Sequence, residues 1–271
     1  MRHFALITGS SDGLGKAFAI ECSKRQMDLL LVSLPNTGLP ELCQTIRVNF
    51  GVNVDFVEMD LTVESNCEKL VNYVTSKDYP VSFLINNAGM GGYAQFSNED
   101  YQTFDRMIQL NIKALTIITH GILPILLKQQ LSYILNVSSM IVHFAGPYKQ
   151  IYGATKSYVH YFTKSLALEL GNTNTKVSVL CPGGVNSNIK FFKMNSACNF
   201  IQTISLLYPE QVADYAIIQT LKGKTEIIPG KVVRIIFAFS RLLPAQIKKW
   251  MTKMTTQRML QSYEGLKLKT G

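Results

Sequence analysis

The 271-residue chain contains no run of about 20 uninterrupted apolar residues, which argues against a membrane-spanning helix. The longest candidate, Val232 to Leu243, is broken by Arg234 and Arg241. A CxxC pair and a regular cysteine framework are also missing. The five cysteines, Cys22, Cys43, Cys67, Cys181 and Cys198, are odd in number and irregularly spaced, which predicts reduced thiols and a cytoplasmic location. No signal peptide is expected, because the apolar run Phe4 to Ile7 leads straight into a glycine-rich turn. Low-complexity tracts, internal repeats and Gly/Ser/Pro-rich linkers are absent. With 47% hydrophobic and 17% charged residues, the composition excludes disorder and a coiled coil and suits a globular core.

Charge is present but unevenly placed. The formal net charge is +9, yet residues 1–230 carry 18 Lys+Arg against 17 Asp+Glu, whereas residues 231–271 carry 9 Lys+Arg against Glu264 alone. A nearly neutral body of residues 1–230 is therefore expected to precede a basic extension, residues 231–271. Within the body, short β-branched runs alternate with longer periodic segments, the pattern of a doubly wound α/β domain with a parallel sheet covered on both faces. The strands read as 4–8, 28–33, 53–58, 82–86, 132–137, 176–180 and a weaker 225–228. Helical patterns lie near 13–26, 39–50, 64–76, 99–129, 150–170 and 209–221, the fourth unusually long and containing Pro124.

Two motifs carry chemistry. Thr8-Gly9-Ser10-Ser11-Asp12-Gly13-Leu14-Gly15 follows the first strand and opens the first helix, where missing Cβ atoms and free N–H groups suit a pyrophosphate. Taken alone, it is also compatible with a merely tight turn. Tyr152 and Lys156 are four apart on a helix and so share a face, and Ser139 closes the fifth strand. A neighbouring ammonium is expected to lower the tyrosine pKa toward neutrality and make it a general acid/base. YxxxK by itself equally describes a solvated helix face.

Together with Asn86-Asn87-Ala88-Gly89, Leu110-Asn111-Ile112, Met59-Asp60-Leu61-Thr62 and Pro182-Gly183-Gly184-Val185-Asn186-Ser187, these motifs resemble the short-chain dehydrogenase/reductase family over nearly the whole body. The last departs from the family pattern by a serine, Ser187, in place of threonine. The resemblance implies a Rossmann-type domain with a seven-stranded parallel sheet, in which Ser139, Tyr152, Lys156 and Asn111 are catalytic. Tyr152 would exchange a proton with the substrate oxygen and Ser139 would polarise that oxygen. Lys156 would bind the nicotinamide ribose, and Asn111 would hold a water linking Lys156 to solvent; a polar residue capping a helix kink is the plainer reading of Asn111. Implied cofactor contacts are Thr8, Gly9, Ser10, Ser11, Gly13, Leu14, Gly15, Ser33, Asp60, Leu61, Asn87, Ala88, Gly89, Tyr152, Lys156, Pro182, Gly183, Val185 and Ser187. No metal is expected.

The second strand ends Leu31-Val32-Ser33-Leu34-Pro35-Asn36-Thr37 without the acid that would hold the ribose hydroxyls of NAD, which favours NADP, with NAD as the alternative. Against that, no Arg stands at Leu34 and the glycine turn carries Asp12; Ser33, Asn36, Thr37 and backbone amides would then hold the phosphate. Within the family the chain is most similar to hydroxysteroid dehydrogenases and 3-ketoacyl-CoA reductases, which implies a lipophilic ketone or alcohol. The segment Ile189 to Ile201 would be the substrate loop or simply a packed flap. The extension shows apolar residues at helical spacing beside lysines and Trp250, which is compatible with peripheral membrane contact through 231–258 or with packing on the body. A homodimer or homotetramer is implied by the family, and no nucleic-acid partner is expected. The alternatives are a dehydrogenase of a small polar alcohol or sugar and a non-catalytic dinucleotide-binding regulator.

Overall fold

A computed structural model describes residues 4–92, 95–143, 147–185, 207–230 and 234. Ser187, the segment 189–201, Cys198 and all of the extension except Arg234 lie outside the described residues, so the expectations placed on them are not addressed by the fold.

Seven parallel strands form one sheet: β1 (Phe4–Thr8), β2 (Asp28–Ser33), β3 (Val54–Glu58), β4 (Val81–Asn86), β5 (Ser132–Val137), β6 (Thr175–Leu180) and β7 (Glu226–Ile227). Their order is β3-β2-β1-β4-β5-β6-β7. The chain winds outward from β1 to one edge and then returns to build the other. The switch point between β1 and β4 is where an open α/β sheet offers a crevice beyond its strand C-termini. The helices are α1 (Gly13–Lys24), α2 (Leu39–Phe50), α3 (Glu64–Ser76), α4 (Tyr101–Ile108), α5 (Leu115–Leu127), α6 (Gln150–Glu169) and α7 (Pro209–Leu221).

The strands are apolar on both sides because each face has its own helical layer. Side chains alternate across a strand, so Ala5, Ile7, Leu29 and Leu31 pack with Phe18, Cys22, Ile46 and Ile217 from α1, α2 and α7. Phe4, Leu6, Leu30 and Val32 pack on the opposite face with Leu70, Val74, Ile118, Ile122 and Leu166 from α3, α5 and α6. The helices α3 and α5 cross closely at Gly121, where a Cβ would sit 2.5 Å from a Val71 methyl.

The long fourth helix of the sequence pattern is interrupted. Between α4 and α5 runs a π-helical turn, Gln109–Ala114, and Pro124 lies inside α5, as the pattern placed it within the helix. Tyr101–Leu127 as a whole is long and apolar enough to cross a membrane by length and composition, which corrects the expectation that Val232 to Leu243 was the longest candidate. Its inward residues Ile118, Ile122 and Leu126 are fully buried in the core facing β4 and β5. Cys22, Cys43, Cys67 and Cys181 are free and buried.

Candidate active site

Because every strand is parallel, each of the sequence motifs emerges at the same C-terminal edge of the sheet. The glycine turn leaves β1, Ser33 ends β2, Asp60 and Leu61 follow β3, Asn87 to Gly89 follow β4, Ser139 follows β5, and Pro182 to Val185 follow β6. Tyr152 and Lys156 reach this edge from the first two turns of α6.

The glycine turn is held by β4. Thr8 Oγ1 accepts hydrogen bonds from the Asn87 and Ala88 N–H groups at 3.1 and 3.0 Å. Asn87 Nδ2 donates back to the carbonyls of Thr8 and Gly9, each at 3.0 Å. Gly15 has no room for a side chain, since a Cβ there would lie 1.9 Å from the Gly9 carbonyl oxygen. Gly9, at φ +65°, would place a Cβ 2.8 Å from Ala88 Cα. The turn thus packs backbone on backbone and opens onto the N-terminus of α1, where Asp12 caps the Gly13 N–H at 2.7 Å. A pyrophosphate fits this concave, helix-terminal edge. Asp60 accepts from the Thr62 N–H and hydroxyl, both at 2.8 Å, and shapes the turn into α3, beside buried Leu61.

At the end of β2 three hydroxyls meet. Ser11 and Ser33 are 2.6 Å apart, and Thr37 donates to Ser33 at 3.2 Å. Ser10 is buried and donates to the Val32 carbonyl at 3.2 Å. One neighbour escaped the sequence reading: Glu58, paired in register with Ser33 across β2 and β3, accepts the Asn36 N–H at 3.1 Å. It lies 25 residues beyond Ser33 in the chain, and only strand register brings the two together.

The catalytic candidates converge. The Tyr152 phenol neighbours the Ser139 hydroxyl, which accepts the Ile141 N–H at 3.3 Å. Lys156 is buried and donates from Nζ to the Val137 carbonyl at 2.9 Å. The neighbouring Ser138 donates to the Lys156 carbonyl at 2.8 Å. Gly91 lies flush against the Tyr152 ring, since a Cβ there would be 2.9 Å from Cε2. Lys149, three residues before Tyr152, lays its ammonium 4.7 Å from the Tyr152 ring centroid. Helical i,i+3 spacing was the available signal for this second cation.

One expectation needs correction. Burial raises the Tyr152 phenol above its ordinary range, and the neighbouring Ser139 hydroxyl only partly opposes this. The expected lowering therefore does not occur in the cofactor-free protein, where burial also draws Lys156 itself down to about 8. Asn111 is fully enclosed, with its Oδ1 accepting the Met90 N–H at 2.9 Å and its Nδ2 donating to the Met90 carbonyl at 2.9 Å and to Thr155 Oγ1 at 3.0 Å. The plainer reading of it as a polar anchor at a helix irregularity describes these contacts. Pro182 is buried and its carbonyl accepts the Met140 N–H at 3.0 Å, so the strand-end turn braces the segment after Ser139. Val185 forms a parallel bridge to Leu207.

Known proteins repeat this arrangement. The family model described as short chain dehydrogenase matches residues 3–195. Hydroxysteroid dehydrogenase-like protein 1 of Gallus gallus is 29% identical over 252 residues, covering 91% of this chain and 74% of that protein. A short-chain dehydrogenase from Sphingobium yanoikuyae, solved in complex with NADPH, is 26% identical with a TM-score of 0.77 and covers 87% of this chain and 91% of its own. A bulky-bulky ketone specific alcohol dehydrogenase from Comamonas testosteroni is 25% identical with a TM-score of 0.75, over 89% of this chain and 91% of its own. With the glycine turn, the strand-end serine and the Tyr-Lys helix face all brought to one sheet edge, the chain belongs to the short-chain dehydrogenase family of oxidoreductases.

Proposed function

We propose that the protein interconverts a lipophilic ketone and its secondary alcohol with NADP(H), Tyr152 serving as general acid/base. The observation that carries this is the convergence of Tyr152 and buried Lys156, from the first two turns of α6, with Ser139 just beyond β5 at one edge of the sheet. When bound, the nicotinamide supplies or accepts the hydride. The chain's own residues orient and protonate. Ser139 positions the substrate oxygen against the Tyr152 hydroxyl, and Tyr152 gives that oxygen its proton in reduction or removes it in oxidation. Lys156, held by Val137, presents a cation to the ribose and to the phenol, and its partial deprotonation near neutral pH lets it pass a proton on. The glycine turn and the N-terminus of α1 take the pyrophosphate, Asp60 and Leu61 border the adenine, and Pro182, Gly183, Val185 and Ser187 border the nicotinamide end.

NADP is favoured by the Ser11, Ser33 and Thr37 hydroxyl cluster and by the lack of an acid at the C-terminal end of β2, in keeping with the NADPH complex of the Sphingobium relative. A lipophilic substrate is favoured by the steroid- and ketone-named relatives and by the apolar segment 189–201. On this reading residues 1–230 form the catalytic domain and 231–271 a basic extension, with 231–258 the stretch whose composition suits peripheral membrane contact. The test is steady-state turnover of NADPH and NADH against steroid, 3-ketoacyl and sphingoid ketones, with short polar ketones as the contrast. Tyr152→Phe should lower kcat by about 10²–10⁴ while leaving the fold intact by circular dichroism. Turnover unaltered by that substitution overturns the mechanism, and a preference for NADH or for polar ketones overturns the specificity.

A further inference from the structure

At the β6–β7 edge of the sheet, four side chains from four segments turn donor atoms toward one point. His143 ends a 3-10 turn, Met140–His143, that follows Ser139; His160 lies on α6; Cys181 follows β6; Glu226 opens β7. One ligand atom from each lies within 4.8 Å of the others. Glu226 Oε1 is 2.8 Å from His160 Nε2 and 3.5 Å from His143 Nε2. The two imidazole rings meet edge to face with centroids 5.4 Å apart.

We propose that His143, His160, Cys181 and Glu226 form a tetrahedral binding site for a zinc ion, separate from the reaction centre. Two imidazoles, a thiol and one carboxylate make a borderline-soft donor set that suits zinc and is wrong for calcium or magnesium. Zinc bonds of about 2.0–2.3 Å place tetrahedral ligand atoms about 3.3–3.8 Å apart. The separations here run from 2.8 Å to the 4.8 Å limit, so closure needs shifts of roughly 1 Å, within reach of small rotamer adjustments. A thiolate and a carboxylate also cancel the two positive charges of the ion, which makes the site neutral where it is partly buried.

The surroundings supply the outer contacts that metal ligands need. Lys164 Nζ stands 3.7 Å from Glu226 Oε2. An entry path exists, because the side chains of His143, His160 and Glu226 keep 17%, 18% and 26% of their exposure. A carboxylate shared by two imidazoles is a sufficient ion pair on its own, but it gives no reason for a buried sulfur to close the fourth corner. The ion would tie the turn after Ser139 to α6 one helical turn beyond Lys156 and to the last strand. Its role is to brace the catalytic segment without touching the reacting atoms, so it holds whichever substrate the enzyme takes.

The test is cobalt titration of the chelator-stripped full-length chain, read by absorbance. One equivalent should give intense tetrahedral d–d bands and a thiolate-to-cobalt charge-transfer band, both displaced by zinc, and zinc should raise the Tm. Cys181→Ser should remove the charge-transfer band, His160→Gln should weaken cobalt binding at least tenfold, and Cys43→Ser should change neither. His143→Gln, at a part-exposed position, is the second probe should Cys181→Ser fail to fold by circular dichroism. Weak six-coordinate bands, or full binding and an intact Tm rise in the His143→Gln/His160→Gln double variant, overturn the site.

Discussion

Lys156 shows how the site trades stability for chemistry. Its ammonium is buried against the Val137 carbonyl, and burial draws it down from the usual 10.5 to about 8. A lowered lysine pKa means that the folded state holds the charge less readily than the unfolded chain. The penalty is therefore full below pH 8 and fades as pH climbs from about 8 to 10.5. Lys156→Met should stabilise the cofactor-free protein at pH 7 by about 2 kcal/mol, after allowing for the acceptor left at Val137. That gain should vanish by pH 10.5, and activity should be lost at every pH. Thermal unfolding across this range checks it, and a variant less stable than wild type at pH 7 would contradict the reading. A second residue-scale outcome concerns Ser33. Ser33→Asp places a carboxylate within the hydroxyl cluster and beside Glu58, so the kcat/KM ratio of NADPH to NADH should fall by about tenfold or more. Tyr152 and Lys156 were legible in the sequence because helical spacing is local. Lys149, at i,i+3 to Tyr152, was equally local and was passed over because no motif marks it. Glu58 was illegible, because its nearness to Ser33 comes from the register of two strands.

Among elements, the π-helical turn Gln109–Ala114 does the most for the site. Its wider turn accompanies an inward Asn111, whose amide clasps Met90 from both sides and reaches Thr155 on α6. The loop after β4 is thereby fixed to the helix that carries Tyr152. Asn111→Ala leaves the half-buried Met90 backbone groups and the buried Thr155 hydroxyl without these partners, so it should cost about 1–3 kcal/mol in urea unfolding. It should also loosen the Asn87 to Gly89 strand end, raising KM for the cofactor. A loss of activity with unchanged stability would instead favour the water-relay role over the anchor. Helix positions were well marked by periodicity: the observed α2, α3 and α7 begin and end where the pattern placed them. The π turn was not marked, because apolar spacing runs on through it and the obvious breaker, Pro124, sits elsewhere inside α5. Strand alternation was blurred by burial on both faces, yet the apolar runs themselves located the seven strands.

At the scale of the molecule, a nearly neutral body precedes a strongly basic extension. The nine basic residues of 231–271 stand against one acid. Arg234 is already engaged: its guanidinium donates to the Tyr215 hydroxyl on α7 at 3.0 Å and lies 5.6 Å from that ring centroid. It ties the start of the extension to the body. In the sequence, Lys248, Lys249 and Lys253 accompany Ile247, Trp250, Met251 and Met254 at helical spacing, the composition of an interfacial helix. A lysine near an anionic bilayer contributes about 1 kcal/mol. Replacing these three with glutamine, which keeps chain length and apolar content, should therefore weaken binding to phosphatidylserine vesicles by roughly 100-fold. Wild-type binding should also fall as salt shortens the screening length from about 30 Å at 0.01 M to about 8 Å at 0.15 M. Turnover of a water-soluble ketone should be the same in both proteins, since the substitutions leave the catalytic edge untouched. Equal vesicle partitioning of the two proteins at low salt would assign these lysines to solvent and the apolar spacing to packing on the body.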